Sequence, residues 1–313
     1  MSAFLHLIRF PNLLMIAITQ YVMRYAVILP QTEWLGVELQ LSGFTFFCLV
    51  FSTMCTAAAG YAINDYFDMK TDIINRPGKV VVGKEINRHK TVMAHGILCA
   101  AGILLGGFVT WRAGIPELVL IYIMVAGLLW LYSFTYKRQF LIGNIIVALF
   151  FAFVPMMALL DIPPIYSAYG SFLLEQGTNL NLAVFWILGI AGFAFLTTLS
   201  HEIIKDAEAF EGDATYGYRS LPIVMGDQFT KWAIIGINVS IIVMLGLVFY
   251  FFLRQMAGYF SFFYILLLLV VPIVFISWKV LKANTCEDYR QAGNWMKWVL
   301  FGGIAYSGIL YLI

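Results

Sequence analysis

Two runs of acidic residues interrupt an otherwise apolar chain. The first is Asn64-Asp65-Tyr66-Phe67-Asp68-Met69-Lys70-Thr71-Asp72, and the second extends from Glu202-Ile203-Ile204-Lys205-Asp206 to Glu211-Gly212-Asp213. Asp65, Asp68 and Asp72 are spaced i, i+3, i+7 and Asn64 stands four residues before Asp68, so on a helix these side chains share one face. Crowded carboxylates repel, and a helix C-terminus disfavours negative charge. A divalent cation removes both objections. Mg²⁺ takes oxygen ligands, keeps some of its waters and binds through one or two carboxylates together with substrate phosphates. The expected metal ligands are Asp65, Asp68 and Asp72 from the first run, and Asp206 and Asp213, at i and i+7, from the second. Of these, Asp65, Asp68, Asp206 and Asp213 are the expected catalytic residues. The chemistry implied is that of a diphosphate held by Mg²⁺.

A departing diphosphate is stabilised by nearby cations. Lys70, Arg76, Lys84 and Arg88 follow the first run, Lys137 and Arg138 lie between the runs, and Lys205 lies inside the second. Arg76, Lys84, Lys137 and Lys205 are expected to contact substrate. Lys79, Lys90, Lys279, Lys282 and Lys297 are expected only to set topology. Glu202 is placed to orient Lys205 or a substrate, whereas Glu208 and Glu211 fall on other faces and are expected to be solvated. His6, His89, His95 and His201 lack metal-ligand spacing, and His201 reads as a hydrogen-bonded helix-end residue. Cys48, Cys55, Cys99 and Cys286 show no CxxC pattern and read as apolar fillers. There is no GxGxxG, Walker loop or nucleophile elbow.

The elements that must position these groups are membrane spans. The chain has 313 residues, 62% hydrophobic and only 12% charged, against about 25% charged in soluble domains. Nine stretches approach the length of about 20 residues that crosses hydrocarbon: 11–29, 41–63, 91–111, 118–136, 140–160, 182–201, 231–253, 259–278 and 294–313. With the N-terminus cytoplasmic, sixteen of the 19 Lys and Arg fall inside, and only Arg24, Arg112 and Arg254 outside. Both acidic runs then face the cytoplasm. The start of the chain shows no cleavable signal pattern, and residues around 161–181 read as a short external excursion. Residues 1–313 are expected to form a single transmembrane domain, integral to the cell inner membrane. Nothing points to nucleic acid or to an obligate protein partner.

Asn64-Asp65-x-x-Asp68-x-x-x-Asp72 resembles the first motif of the UbiA superfamily of intramembrane prenyltransferases. Lys205-Asp206 through Glu211-Gly212-Asp213, then Gly217 and Ser220-Leu221-Pro222, resembles its second. Tyr132-Ser133 with Lys137 and Gly143-Asn144 resembles a segment between them. The resemblance covers essentially the whole chain and implies an all-α bundle of about nine transmembrane helices. It also implies a polyprenyl diphosphate donor, Mg²⁺, and a lipid-like or aromatic acceptor. Asn64, Asp65, Asp68 and Asp72 would hold one Mg²⁺–diphosphate contact, and Asp206 and Asp213 the other. Arg76 and Lys137 would bind diphosphate oxygens, and Tyr132 and Asn144 would join the substrate site. Ala209 stands where many members carry a third acid, and His201 where many carry Arg.

Within the superfamily, Ile63-Asn64-Asp65-Tyr66-Phe67-Asp68, Asn75-Arg76-Pro77 and Glu202-Ile203-x-Lys205-Asp206 are similar to the branch that makes digeranylgeranylglyceryl phosphate. Its acceptor is geranylgeranylglyceryl phosphate. The numerous inner-face cations suit a second phosphate. The alternatives are an aromatic polyprenyltransferase of quinone biosynthesis acting on 4-hydroxybenzoate, a haem or chlorin prenyltransferase, and a cation-coupled transporter. Transporter sites usually sit at the bilayer midplane, and these acids stand at helix ends.

Overall fold

A long apolar stretch in hydrocarbon satisfies its backbone by coiling. The computed structural model describes residues 3–75, 80–254 and 258–310; among them no strand occurs, only one isolated bridge between Val82 and Ile86. Among the described residues eight helical segments are long and apolar enough to span a membrane: Phe10–Leu35, Gly43–Asn75, Arg88–Arg112, Pro116–Phe134, Ile142–Glu175, Asn181–Glu208, Leu221–Leu253 and Gly258–Lys282. The ninth expected span falls on the helix Cys286–Leu310, whose early turns carry Glu287, Asp288, Arg290 and Lys297.

The chain divides into two compact units. One is Met1–Lys137 with Val154–Ile187, and the other is Arg138–Phe153 with Leu188–Ile313. The first unit opens with α1 (Ala3–Leu7) and α2 (Phe10–Val22), which continues through a π-helical turn (Met23–Ile28) into α3 (Leu29–Leu35). Then come α4 (Gly43–Asn75), α5 (Arg88–Arg112), α6 (Val119–Phe134) and a 3-10 turn, Tyr136–Arg138. α7 (Ile142–Met156) begins in the second unit and runs through a 3-10 turn (Met157–Asp161) into α8 (Ile162–Glu175) of the first. α9 (Asn181–Glu208) leads into the second unit, followed by α10 (Phe210–Thr215) and α11 (Leu221–Val248), which is broken at Gly226. α12 (Gly258–Tyr264), α13 (Val271–Lys282) and α14 (Cys286–Leu310) complete it.

Small residues let the helices of the first unit approach closely, as membrane packing favours. On α5, a Cβ at Gly102 would collide with the Thr56 hydroxyl of α4, and one at Gly106 would lie 2.6 Å from the Tyr122 ring of α6. Polar cross-links fix register. The Gln20 amide of α2 donates to Thr53 Oγ1 of α4 at 3.0 Å and to the Val154 carbonyl at 3.2 Å.

Two expectations need correction. The second span does not stop before the acids: α4 runs for 33 residues to Asn75, because no glycine or proline intervenes between Gly60 and Pro77. The acids therefore project from its last turns. Residues 162–175, read as part of a short external excursion, are helical. Pro163 and Pro164 sit in the first turn of α8, where proline lacks only an amide that has no helical partner. Asp161 is fully buried, with Oδ2 3.5 Å from Nε of the equally buried Arg24. The Arg24 guanidinium also donates to the Leu41 carbonyl and lies 4.4 Å from the Phe46 ring centroid.

Breaking such a pair strands a buried charge. Arg24→Leu should lower stability by about 3–5 kcal/mol, seen as a fall in thermal midpoint in detergent. Arg24→Leu with Asp161→Leu should recover most of that loss. A double variant no more stable than the single would show that the pair is not the source.

Candidate active site

In the first unit the site grows from the end of α4. Asp68 is 3% exposed. Its Oδ2 accepts from the Asn64 amide at 2.6 Å and from the Lys137 ammonium, which also lies 3.5 Å from Asn64 Oδ1. Lys137 is carried on the 3-10 turn after α6. That turn is held near α4 by aromatic packing one residue before Asp68: Phe67 meets Trp130 and Phe134 of α6 at centroid separations of 5.8 and 5.5 Å. Tyr132 is buried on the same helix. Asp65 accepts from Arg9 at 2.8 Å, and the Arg9 guanidinium stacks 4.9 Å from the Tyr61 ring centroid. Arg9 itself adopts a left-handed backbone, φ 50°, between α1 and α2.

Burial alone would lower the Lys137 pKa. Asp68, with Tyr132 and Asp72, more than offsets this and holds the ammonium above the ordinary lysine range. Arg9 behaves likewise: burial opposes its charge, and Asp65 leads the groups that favour it.

In the second unit the site lies where α9 ends. Asp206 Oδ2 accepts from the Asn144 amide of α7 at 2.8 Å. Glu202 accepts from Lys205 at 2.9 Å and has His201 Nδ1 at 3.4 Å. Asp213 is buried on α10. The helix does not run straight from Asp206 to Asp213: Ala209, at φ −92° and ψ 8°, separates α9 from α10. The i, i+7 face expected for these two acids is thus interrupted. The segment after α10 is tied back by Arg219 N donating to the Arg138 carbonyl at 2.9 Å, with the Arg138 guanidinium over the Tyr218 ring.

The structure therefore brings Asn64, Asp68 and Lys137 together, and separately Asn144 with Asp206 and Glu202 with Lys205. Asp72 stands one turn beyond Asp68 on α4. Lys84 lies in a groove beside α1, and Arg76 falls outside the described residues. Glu208 is not simply solvated: its carboxylate pairs with Arg290 of α14 at 3.0 Å. Arg9 was missed as an acid partner. Its only signal was its place as the last basic residue before the first span.

These donors suit Mg²⁺. Among the described residues no three His, Cys, Asp or Glu side chains form a metal cage, and Mg²⁺ is ordinarily held by one or two carboxylates, phosphate and water. The Asp206 carboxylate accepts from a neutral amide, that of Asn144.

A helical membrane protein with carboxylates and cations gathered at helix ends defines a class: membrane-embedded enzymes that handle an anionic, phosphorylated substrate. The chain belongs to the UbiA prenyltransferase family, whose profile matches residues 31–301, and it is an integral membrane prenyltransferase. It is 26% identical over 254 residues to a digeranylgeranylglyceryl phosphate synthase from Methanosphaera stadtmanae, covering 80% of this chain and 82% of that one. It is 28% identical over 296 residues to a synthase of the same name from Sulfurisphaera tokodaii, covering 95% and 93%. A solved structure of a digeranylgeranylglyceryl phosphate synthase superposes with a TM-score of 0.63 at 21% identity, covering 98% of each chain. A UbiA homologue from Archaeoglobus fulgidus bound to DMAPP and Mg²⁺ gives 0.55 at 14%, covering 98% of this chain and all of that one. At these identities the likeness to both structures is one of fold.

A pKa raised by folding contributes stability below the unfolded value and loses it as pH rises through the folded one. Lys137→Gln should therefore unfold at a lower temperature than wild type at neutral pH, and the gap should close only above about pH 10.4. A gap that closes near neutrality would contradict the Lys137–Asp68 pairing. Glu208→Gln removes a partly exposed ion pair; its cost should be at most about 1 kcal/mol, with turnover retained. An inactive Glu208→Gln protein would place Glu208 in the chemistry.

Proposed function

We propose that this chain transfers a geranylgeranyl group from its diphosphate to the free hydroxyl of geranylgeranylglyceryl phosphate, in the assembly of a membrane ether lipid. The likeness to synthases of that product over most of the chain carries this reading. The paired Asp68 and Lys137 support it, because a diphosphate arriving with Mg²⁺ presents both charges that this pair can answer.

In this reading Asp65, Asp68 and Asp72, with Asn64, hold one Mg²⁺–diphosphate contact, and Asp206 and Asp213 hold another. Bound Mg²⁺ supplies counter-charge to the diphosphate as it leaves. The bond between the allylic carbon and the diphosphate oxygen breaks, and its electron pair stays with the diphosphate. The acceptor hydroxyl oxygen then bonds to the allylic carbon, and its proton passes to the released diphosphate or to water. Lys137, Arg76 and Lys205 donate to diphosphate oxygens. Glu202 aims Lys205, while Asn144 fixes the Asp206 carboxylate and Tyr132 walls the Lys137 side. Lys84 serves phosphate binding. The N-terminus and the site lie on the cytoplasmic side, where the positive-inside rule puts the cationic segments.

Asp68→Ala and Asp206→Ala should each cut turnover by about 10²–10³-fold or more while the protein still inserts and folds. Excess EDTA should stop the reaction and added Mg²⁺ restore it. Labelled geranylgeranyl diphosphate should give lipid product with geranylgeranylglyceryl phosphate and none with 4-hydroxybenzoate. Product only with 4-hydroxybenzoate would overturn the acceptor, and near-wild-type turnover in both Asp variants would overturn the chemistry.

A further inference from the structure

Beside the first carboxylate site lies a groove of about 750 Å³, lined by α1, the turn before α5 and the first residues of α5. Among the described residues its lining carries Lys84, Arg88 and Lys90 and one acid, Glu85. Its floor is apolar, with Phe4 and Leu7 on one side and Ile86 on the other. Cations over hydrocarbon call for an amphiphile with an anionic head.

The groove is built, not a chance gap in a loop. Gly83 N–H donates to the Ile86 carbonyl at 2.8 Å, and the amides of Glu85 and Ile86 both donate to the Val81 carbonyl, at 2.9 and 3.1 Å. Gly83 takes φ +85°, and a Cβ there would stand 2.9 Å from Met69 Sδ of α4. Val82, 2% exposed, packs with Leu7 and Ala62, both fully buried, and with Met69 and Ile86. Ala62, Asp65 and Met69 are spaced i, i+3, i+7, so they share one face of α4. The groove floor is thus packed on the residues that flank Asp65. Arg9, which bonds Asp65, follows Leu7 by two positions. A molecule anchored in the groove therefore has its head on the same helix face as a carboxylate of the reaction site.

We propose that this groove holds the phosphate of the lipid acceptor, a phosphomonoester on glycerol, and so places the neighbouring hydroxyl toward the Asp65–Asp68 turn. The proposal rests on the acceptor reading above. A monoester carries about −1.5 to −2 at neutral pH and a membrane phosphodiester a single charge, and the adjacent exposed cations Arg88 and Lys90 suit the more highly charged head. Lys90 thereby becomes a specificity-determining residue in addition to a topological one, and Arg88 joins it.

The test uses the full chain in detergent and equilibrium binding of three ligands: geranylgeranylglyceryl phosphate, the same lipid without its phosphate, and geranylgeranyl diphosphate. Two variants are compared with wild type, Arg88→Gln with Lys90→Gln, and Ala94→Trp, which fills the groove. Both variants should weaken the phosphorylated acceptor by about 10-fold or more. Binding of geranylgeranyl diphosphate, which also reports folding, should stay within about twofold of wild type. The double variant should also lose the preference for the phosphorylated lipid over its alcohol. Unchanged acceptor affinity in both variants would overturn the proposal. If wild type binds geranylgeranyl diphosphate but not the phosphorylated acceptor, the acceptor reading fails and the proposal falls with it; failure confined to the variants leaves that reading intact.

Discussion

An ionised carboxylate at the rim of a membrane must be answered by a cation or a fixed donor, because hydrocarbon offers no water to do it. In this chain the answers come from far along the sequence. Lys137 meets Asp68, Arg9 meets Asp65, Asn144 meets Asp206, and Arg24 meets Asp161. Each pairing ties two helices or a helix and a turn, so the same contacts that make the acids tolerable also set how the elements pack. Apolar side chains alone would not choose a partner in this way, since lipid tails are as apolar as leucine.

The two carboxylate sites are built differently. Asp65 and Asp68 stand on α4, a single helix of 33 residues whose final turns outlast the hydrocarbon. Reactive groups on a regular helix are held more closely than groups on loops. Their partners are cationic. Asp206 and Asp213 are separated by the break at Ala209, and Asp206 meets a neutral amide. The first site thus meets Asp65 and Asp68 with cations, whereas in the second the Lys205 ammonium meets Glu202 and an amide meets Asp206.

Much of this was legible in the residues. The spacing of Asn64, Asp65, Asp68 and Asp72 predicts a shared helix face, and α4 supplies it. The expected Glu202–Lys205 contact also forms. Apolar runs located the spans, but helix ends lie further out in several places: α4 and the α7–α8 segment pass their expected ends, the first spanning segment continues to Leu35, α9 to Glu208, and α11 and α14 begin earlier, at Leu221 and Cys286. Hydropathy marks where a segment is greasy, not where its backbone hydrogen bonding ends. What could not be read were pairings between distant positions. Nothing local in Ile8-Arg9-Phe10 names Asp65, and nothing in Glu208 names Arg290. Lys90 was read as a topology signal alone, because a cation that binds and a cation that only orients the chain have the same letter. The break at Ala209 was equally silent, since alanine is a strong helix former.

The buried pair of Arg24 and Asp161 has a consequence for how the molecule is made. Arg24 leaves the ribosome 137 residues before its counter-ion. At about 5–20 residues per second that interval is roughly 7 to 27 s. Throughout it the first span must be delivered to the bilayer with an unanswered guanidinium, at a cost of about 2.5–3.5 kcal/mol on an insertion scale. Its aliphatic neighbours offset that cost. The amino-terminal half is therefore born provisional: its first helix settles only once the fifth spanning segment has emerged, and a truncation before Asp161 would yield a chain that inserts but does not close.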